Sequence, residues 1–140
     1  PDIALHGIDI SEAMIETTQE RLAGDFRCGT LAELPYPDAS LDLVLSVHAL
    51  EHMDLPEVGI QELLRVLKPE GRLVIVVTRQ CPVTTMLSLR WNFKPMARSF
   101  VETHLIANGA DFVTVTPLMS RASMAYMSVV YSGRKVGTAG

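Results

Sequence analysis

His48, Glu51 and His52 form the densest group of proton-handling side chains in the chain, within Ser46-Val47-His48-Ala49-Leu50-Glu51-His52. An imidazole titrates near neutrality and can take or give a proton. The same residues spell H-x-x-E-H, which on a helix would set both imidazoles on one face for zinc. Zinc binding therefore needs a helix. Leu41–Val47, LDLVLSV, is instead a near-continuous apolar run that predicts a buried strand ending at His48. No metal is expected, and Glu51 reads as a solvated or capping carboxylate. Asp9 ends a second short strand candidate, Ile3–Ile8. A carboxylate only accepts hydrogen bonds, and an ionised acceptor bonds strongly, so Asp9 suits a vicinal diol. The plainer alternative is a turn residue ahead of a helix.

The elements that must position these groups are legible from pattern. Ser11 is a helix N-cap, Glu12 sits at the positive helix end, and Met14, Ile15, Thr18 and Leu22 mark one face before Gly24. Asp25–Cys28 is a short strand leading into Gly29. Leu34-Pro35-Tyr36-Pro37-Asp38 is not helical, because each proline drives the residue before it towards extended geometry. Asp54 is the expected cap of a helix with Pro56 and Glu57 in its first turn. Ile60, Leu63, Leu64 and Leu67 fit the i, i+3, i+4, i+7 stripe, and Pro69 and Gly71 end the helix before a strand at Leu73–Val77. Thr78–Ser99 reads as a long connection. Its Trp91, Phe93 and Met96 would form either an apolar lid or a packing cluster, and Arg90, Lys94 and Arg98 a solvated face or a hold on an anionic acceptor. Phe100–Asn108 is helical, Gly109 stops it, and Phe112–Val115 and Met124–Tyr131 make an antiparallel pair at the sheet edge. The order β-α-β-β-α-β-α-β-β predicts an α/β fold: a Rossmann-like, mostly parallel sheet with a C-terminal antiparallel hairpin.

At 140 residues the chain is expected to form a single domain, 1–140, and 48% hydrophobic with 20% charged residues is globular rather than disordered. A net charge of −4 argues against nucleic acid as the main partner. No apolar run is long enough to span a membrane, so no integral membrane segment is expected. Cys28 and Cys81 are the only cysteines and form no C-x-x-C, so both read as inert thiols in a reducing, cytoplasmic setting.

Gly7-Ile8-Asp9-Ile10-Ser11, the run from Cys28-Gly29-Thr30-Leu31 to Asp38, and Leu41–Val77 occur in order. Together they resemble successive motifs of class I S-adenosylmethionine-dependent methyltransferases, in the subgroup acting on small molecules, quinones and lipids. The resemblance covers roughly residues 3–78. It implies S-adenosyl-L-methionine as cofactor and a small, perhaps apolar, molecule as methyl acceptor. Asp9 would hold the ribose hydroxyls and Ile10 the adenine face. Gly29, Thr30 and Leu31 would form the loop under the adenine, where relatives carry Asp in place of Thr30. Ser46 and Val47 would border the methionine moiety, and His48 or His52 would serve as base where the acceptor must lose a proton.

The family opens with a strand and a glycine-rich loop, and no G-x-G-x-G precedes Asp9. The resemblance therefore implies a domain truncated at the N-terminus, lacking the strand that would lie between those ending at Asp9 and Val47. Three expectations follow: a fragment, a homo-oligomer completing the sheet with a strand from another copy, or two halves closing into a smaller sheet. A non-catalytic remnant or partner subunit is the main alternative function. A nicotinamide dehydrogenase is a third, since it shares an acid after the second strand.

Overall fold

The computed structural model describes residues 3–117 and 128–137. Strand β1 (His6–Asp9) leads into helix α1 (Glu12–Gln19), and β2 (Asp25–Cys28) returns parallel to β1. Ser11 caps α1 as expected: its backbone is extended and its Oγ accepts from the Met14 N–H at 3.4 Å. Of the apolar face predicted for α1 only Ile15 is buried, while Met14 and Leu22 face solvent. The reason is local: α1 rests on a two-stranded sheet too small to cover a full helix face.

A second sheet holds β3 (Leu41–Val47), β4 (Leu67–Thr78), β6 (Ser128–Lys135) and β5 (Ala110–Pro117), in the order β3-β4-β6-β5. β3 and β4 are parallel, and the other two pairings are antiparallel, with β5 at the edge. The Met124–Met127 part of the last predicted strand lies outside the described residues. The fold is thus α/β, with the parallel βαβ crossover and the terminal hairpin that the sequence predicts.

Four local expectations change. Helix α2 (Pro56–Val66) is capped at Leu55 without a side-chain bond, so Asp54 is not its cap. α2 passes directly into β4, and Lys68–Gly71 forms an irregularity in that strand: Leu41 pairs with Leu67 but Leu43 with Arg72, and Glu70 takes φ 61°. The connection after β4 contains α3 (Pro82–Ser88) ahead of α4 (Arg98–Ala107). Finally, β3 is covered on one face only. Val44 and Ser46 are buried, whereas Leu43, Leu45 and Val47 are exposed.

The core lies on the covered face. Ile60, Leu63 and Leu64 of α2 pack with Val101 and Leu105 of α4 over Ile75, Val77 and Tyr131 of the sheet. Each such aliphatic burial contributes about 1.5–3 kcal/mol. Met96 joins this core, anchored where its N–H donates to Thr78 O at 2.8 Å, while Trp91 stays exposed. The lid or cluster expected there is therefore split. Among the described residues no helix is long and apolar enough to cross a membrane.

Candidate functional site

β1 and β3 do not pair with one another. Of the three expectations for the absent strand, closure of the two halves into one smaller sheet is therefore not met. A cleft of about 800 Å³ runs between them, walled by β1, the loop after β2, β3 and the turn after β3. Ligands of open α/β sheets bind outside the carboxyl ends of strands. Asp9, Ile10, Gly29, Thr30, Leu31, Ser46, Val47, His48 and His52 all line this one cleft, and Glu51 does not.

Asp9 ends β1 half-buried. Its Oδ1 accepts from the Ser11 N–H at 2.8 Å, so the carboxylate is steered by the helix start, and Oδ2 has no partner among the described residues. Ile10 is 77% exposed and takes no part in the core. Gly29 follows β2, and its N–H donates to Asp9 O at 2.9 Å. A Cβ there would stand 3.3 Å from Ile8 Cγ2, so the backbone approaches β1 as closely as a side chain would permit. Thr30 is exposed; its Oγ1 accepts from the Ala32 N–H at 3.2 Å and keeps one lone pair and its own proton. Leu31 turns its side chain towards α2, within reach of the Gly59 position.

Ser46 is 6% exposed and its Oγ has no hydrogen-bond partner among the described residues. Val47, its neighbour, faces outward on the open side. At His48 the strand ends abruptly: its N–H still donates to Val76 O at 2.8 Å, but φ is +51°, a left-handed backbone that non-glycine residues adopt at a cost. Leu50–His52 is one 3-10 turn, not an α-helix, so the two histidines do not share a helix face. The His52 Nδ1 lies 3.1 Å from Asn92 O, and the His48 Nδ1 2.9 Å from Glu51 Oε1.

Glu51 departs from expectation. It is 4% exposed, not solvated, and its carboxylate accepts the Thr78 N–H at 2.7 Å and the Thr78 hydroxyl at 2.8 Å. β4 ends against it, which draws the buried acid under His48. Of the candidate holds on an anionic acceptor, the Lys94 ammonium lies 3.6 Å from the Asp54 carboxylate while its backbone N–H donates to Glu51 O at 2.7 Å, and Arg98 pairs with Glu102.

Tyr36 was not singled out from the sequence. It lines the cleft edge-on to His6, and its hydroxyl is buried without a partner among the described residues; burial, then the Asp25 charge, push it above the usual phenol range. The only sequence signal was an aromatic hydroxyl between two prolines. Its loop is pinned by Arg65, which donates to Tyr36 O at 2.9 Å, Leu34 O at 3.0 Å and the Asp38 carboxylate at 2.7 Å.

Comparison with known proteins gives the same assignment. A family model described as a methyltransferase domain matches residues 3–75, half of the chain. The chain is 43% identical over 79 residues to the demethylmenaquinone methyltransferase of Clavibacter sepedonicus, covering 54% of this chain and 32% of that protein. It superposes on a Haloferax volcanii methyltransferase solved with its Trm112 activator with TM-score 0.78 and 15% identity, covering 94% of this chain and 71% of the other. A geranyl diphosphate methyltransferase solved with S-adenosylmethionine gives TM-score 0.77 and 14% identity, over 95% of this chain and 69% of the other. The chain spans about a third of the length of the curated relatives it matches. With the motif order, the strand-end cleft and these likenesses together, the chain belongs to the class I S-adenosylmethionine-dependent methyltransferase family.

Proposed function

We propose that this chain supplies the ribose, adenine and acceptor sides of a methyl-transfer site using S-adenosylmethionine on a small, apolar acceptor of the quinone type. The supporting observation is convergence: the ends of β1, β2 and β3 bring an acceptor-only carboxylate, a close-approach glycine, an orphaned buried hydroxyl and an imidazole to one cleft. An unsatisfied buried hydroxyl is costly, and a bound polar ligand would relieve it.

The cofactor, when bound, supplies a methyl group made electrophilic by a sulfonium. The chain's own residues then hold and orient. Asp9 accepts from the ribose diol, Ile10 packs on the adenine, Gly29 admits the ring, and Thr30 and the Leu31 backbone border its edge. Ser46 and Val47 border the methionine portion. Holding two reactants in line can supply much of the rate. His48 or His52 takes a proton from acceptors that must lose one. The demethylmenaquinone activity named for the Clavibacter relative is consistent with a small, apolar acceptor. Exposed Cys28 and partly exposed Cys81, both free thiols, fit a reducing cytoplasmic setting.

Titration calorimetry with S-adenosylhomocysteine tests this. Binding that is lost in Asp9→Ala and kept in His48→Ala is the expected result. No binding at millimolar ligand would overturn cofactor use by this chain alone. It would favour the second reading, a non-catalytic remnant or partner subunit that does not bind the cofactor alone. Among the described residues β1 and β3 each have one edge without a partner strand, and light scattering tests whether a second copy completes the sheet there.

A further inference from the structure

We propose that Glu51 is a positioning residue: it fixes the His48 ring with its proton on Nδ1, leaving Nε2 as the proton-accepting nitrogen. This rests on the proposed role of His48 as the group that takes the acceptor's proton.

Hydrogen-bond chemistry carries the inference. A carboxylate can only accept, so the 2.9 Å contact between Glu51 Oε1 and His48 Nδ1 requires the proton on Nδ1. The Glu51 carboxylate is itself immobilised, because Oε2 accepts the Thr78 N–H and Oε1 the Thr78 hydroxyl. Glu51 is almost wholly buried with no Lys or Arg side chain bonded to it among the described residues. A buried carboxylate without a cation is unfavourable unless donors surround it. Here those donors are the end of β4 and one imidazole. The His48 backbone is held in the left-handed region by its N–H bond to Val76 O, and such strain concentrates where a side chain must be aimed. On the far side of the ring, Nε2 lies 3.5 Å from Ser128 Oγ, at the limit of a hydrogen bond, so no short contact occupies it among the described residues. The ring is about 40% exposed and borders the cleft. An acid on one nitrogen thus sets the tautomer, and the other nitrogen is left for chemistry.

The same geometry predicts what Glu51→Gln does. The Thr78 N–H can only donate, so the amide oxygen must face it in the Oε2 position. The amide nitrogen then takes the Oε1 position and donates towards His48 Nδ1. The ring must accept there, and its proton moves to Nε2. The Thr78 hydroxyl can adapt by accepting.

Nitrogen-15 NMR of imidazole-labelled protein reads this without any turnover, with His48 assigned by its loss in His48→Asn. In the unsubstituted chain at a pH where the ring is neutral, the pyridine-type signal should belong to Nε2. Glu51→Gln should transfer it to Nδ1. A free histidine ring favours the proton on Nε2, so finding that form in the unsubstituted chain overturns the proposal with no variant needed. An unchanged tautomer in folded Glu51→Gln also overturns it. If Glu51→Gln does not fold, Glu51→Asp replaces it. That change keeps the charge but withdraws it by one methylene, and the population should shift towards the Nε2–H form; no shift overturns the proposal. Failure of S-adenosylhomocysteine to bind would sink the cofactor site while leaving the tautomer result standing, so the two readings fail separately.

Discussion

Removing the Ser46 hydroxyl should move stability and ligand affinity in opposite directions. Ser46 sits on the covered face of β3, level with Ile75 of β4, at 6% exposure and with an unpartnered Oγ. A buried hydroxyl with no partner costs about 1–3 kcal/mol. Ser46→Ala deletes that penalty and leaves a gap of one oxygen, worth less than the roughly 0.8 kcal/mol of a buried methylene. The expected net is a chain more stable by about 1 kcal/mol, a rise in thermal midpoint of roughly 2–8 °C. If Oγ is the bond that a bound ligand completes, the same change weakens binding by about 0.5–1.5 kcal/mol. That corresponds to about 2- to 13-fold in Kd. Thermal denaturation without ligand and calorimetry with S-adenosylhomocysteine measure the two arms. A lowered midpoint would show that the hydroxyl is already satisfied in solution. A raised midpoint with unaltered affinity would remove Ser46 from the binding site.

Two further outcomes follow from the scaffold. The Glu62 carboxyl is held below its usual range, chiefly by hydrogen bonding to Arg65, against the opposing pull of burial and with help from the Leu34 N–H. A carboxyl with a depressed folded-state pKa contributes stability above its unfolded value of 4.5 and loses it as pH falls through the folded value. Urea midpoints of the unsubstituted chain and Glu62→Gln should therefore differ by a constant amount above about pH 5.5 and converge in acid. A difference that persists undiminished to pH 2 would refute the linkage. Gly59→Ala would place a Cβ 2.6 Å from Met53 Sδ and 2.8 Å from Leu50 Cδ2, against the turn that carries Glu51. Overpacking of about 1–3 kcal/mol should outweigh the helix-propensity gain of about 1 kcal/mol. A higher urea midpoint in that variant would show that the turn has room for a methyl.

Periodicity located the elements best where burial is one-sided and simple. Ile60, Leu63 and Leu64 of the α2 stripe, the Ser11 cap and the Gly109 stop, at φ +82°, stand where the sequence puts them, whereas Leu67, the last of the stripe, begins β4. It failed where neighbours in space decide the outcome. Leu43, Leu45 and Val47 are as apolar as any buried strand, yet they are open, because nothing among the described residues lies on that side of β3. Met14 and Leu22 fail likewise, since the sheet beneath α1 has only two strands. α3 went unseen because seven residues give too little periodic signal.

The site divides in the same way. The placement of Asp9, Gly29, Ser46 and His48 at strand ends was legible because strand ends and their polar residues are written locally, and the order of the motifs carried the family. Glu51 was legible as a residue but not as a role. Whether a carboxylate is solvated or buried depends on what meets it, and what meets it is Thr78, 27 positions away in sequence. The sequence by itself determined the βαβ crossover, the cofactor class that the family implies and the residues at the strand ends. Only the tertiary structure decided that β3 is covered on one face only, and that a buried acid meets Nδ1 of His48. Both depend on contacts between segments distant in the chain, to which local pattern is blind.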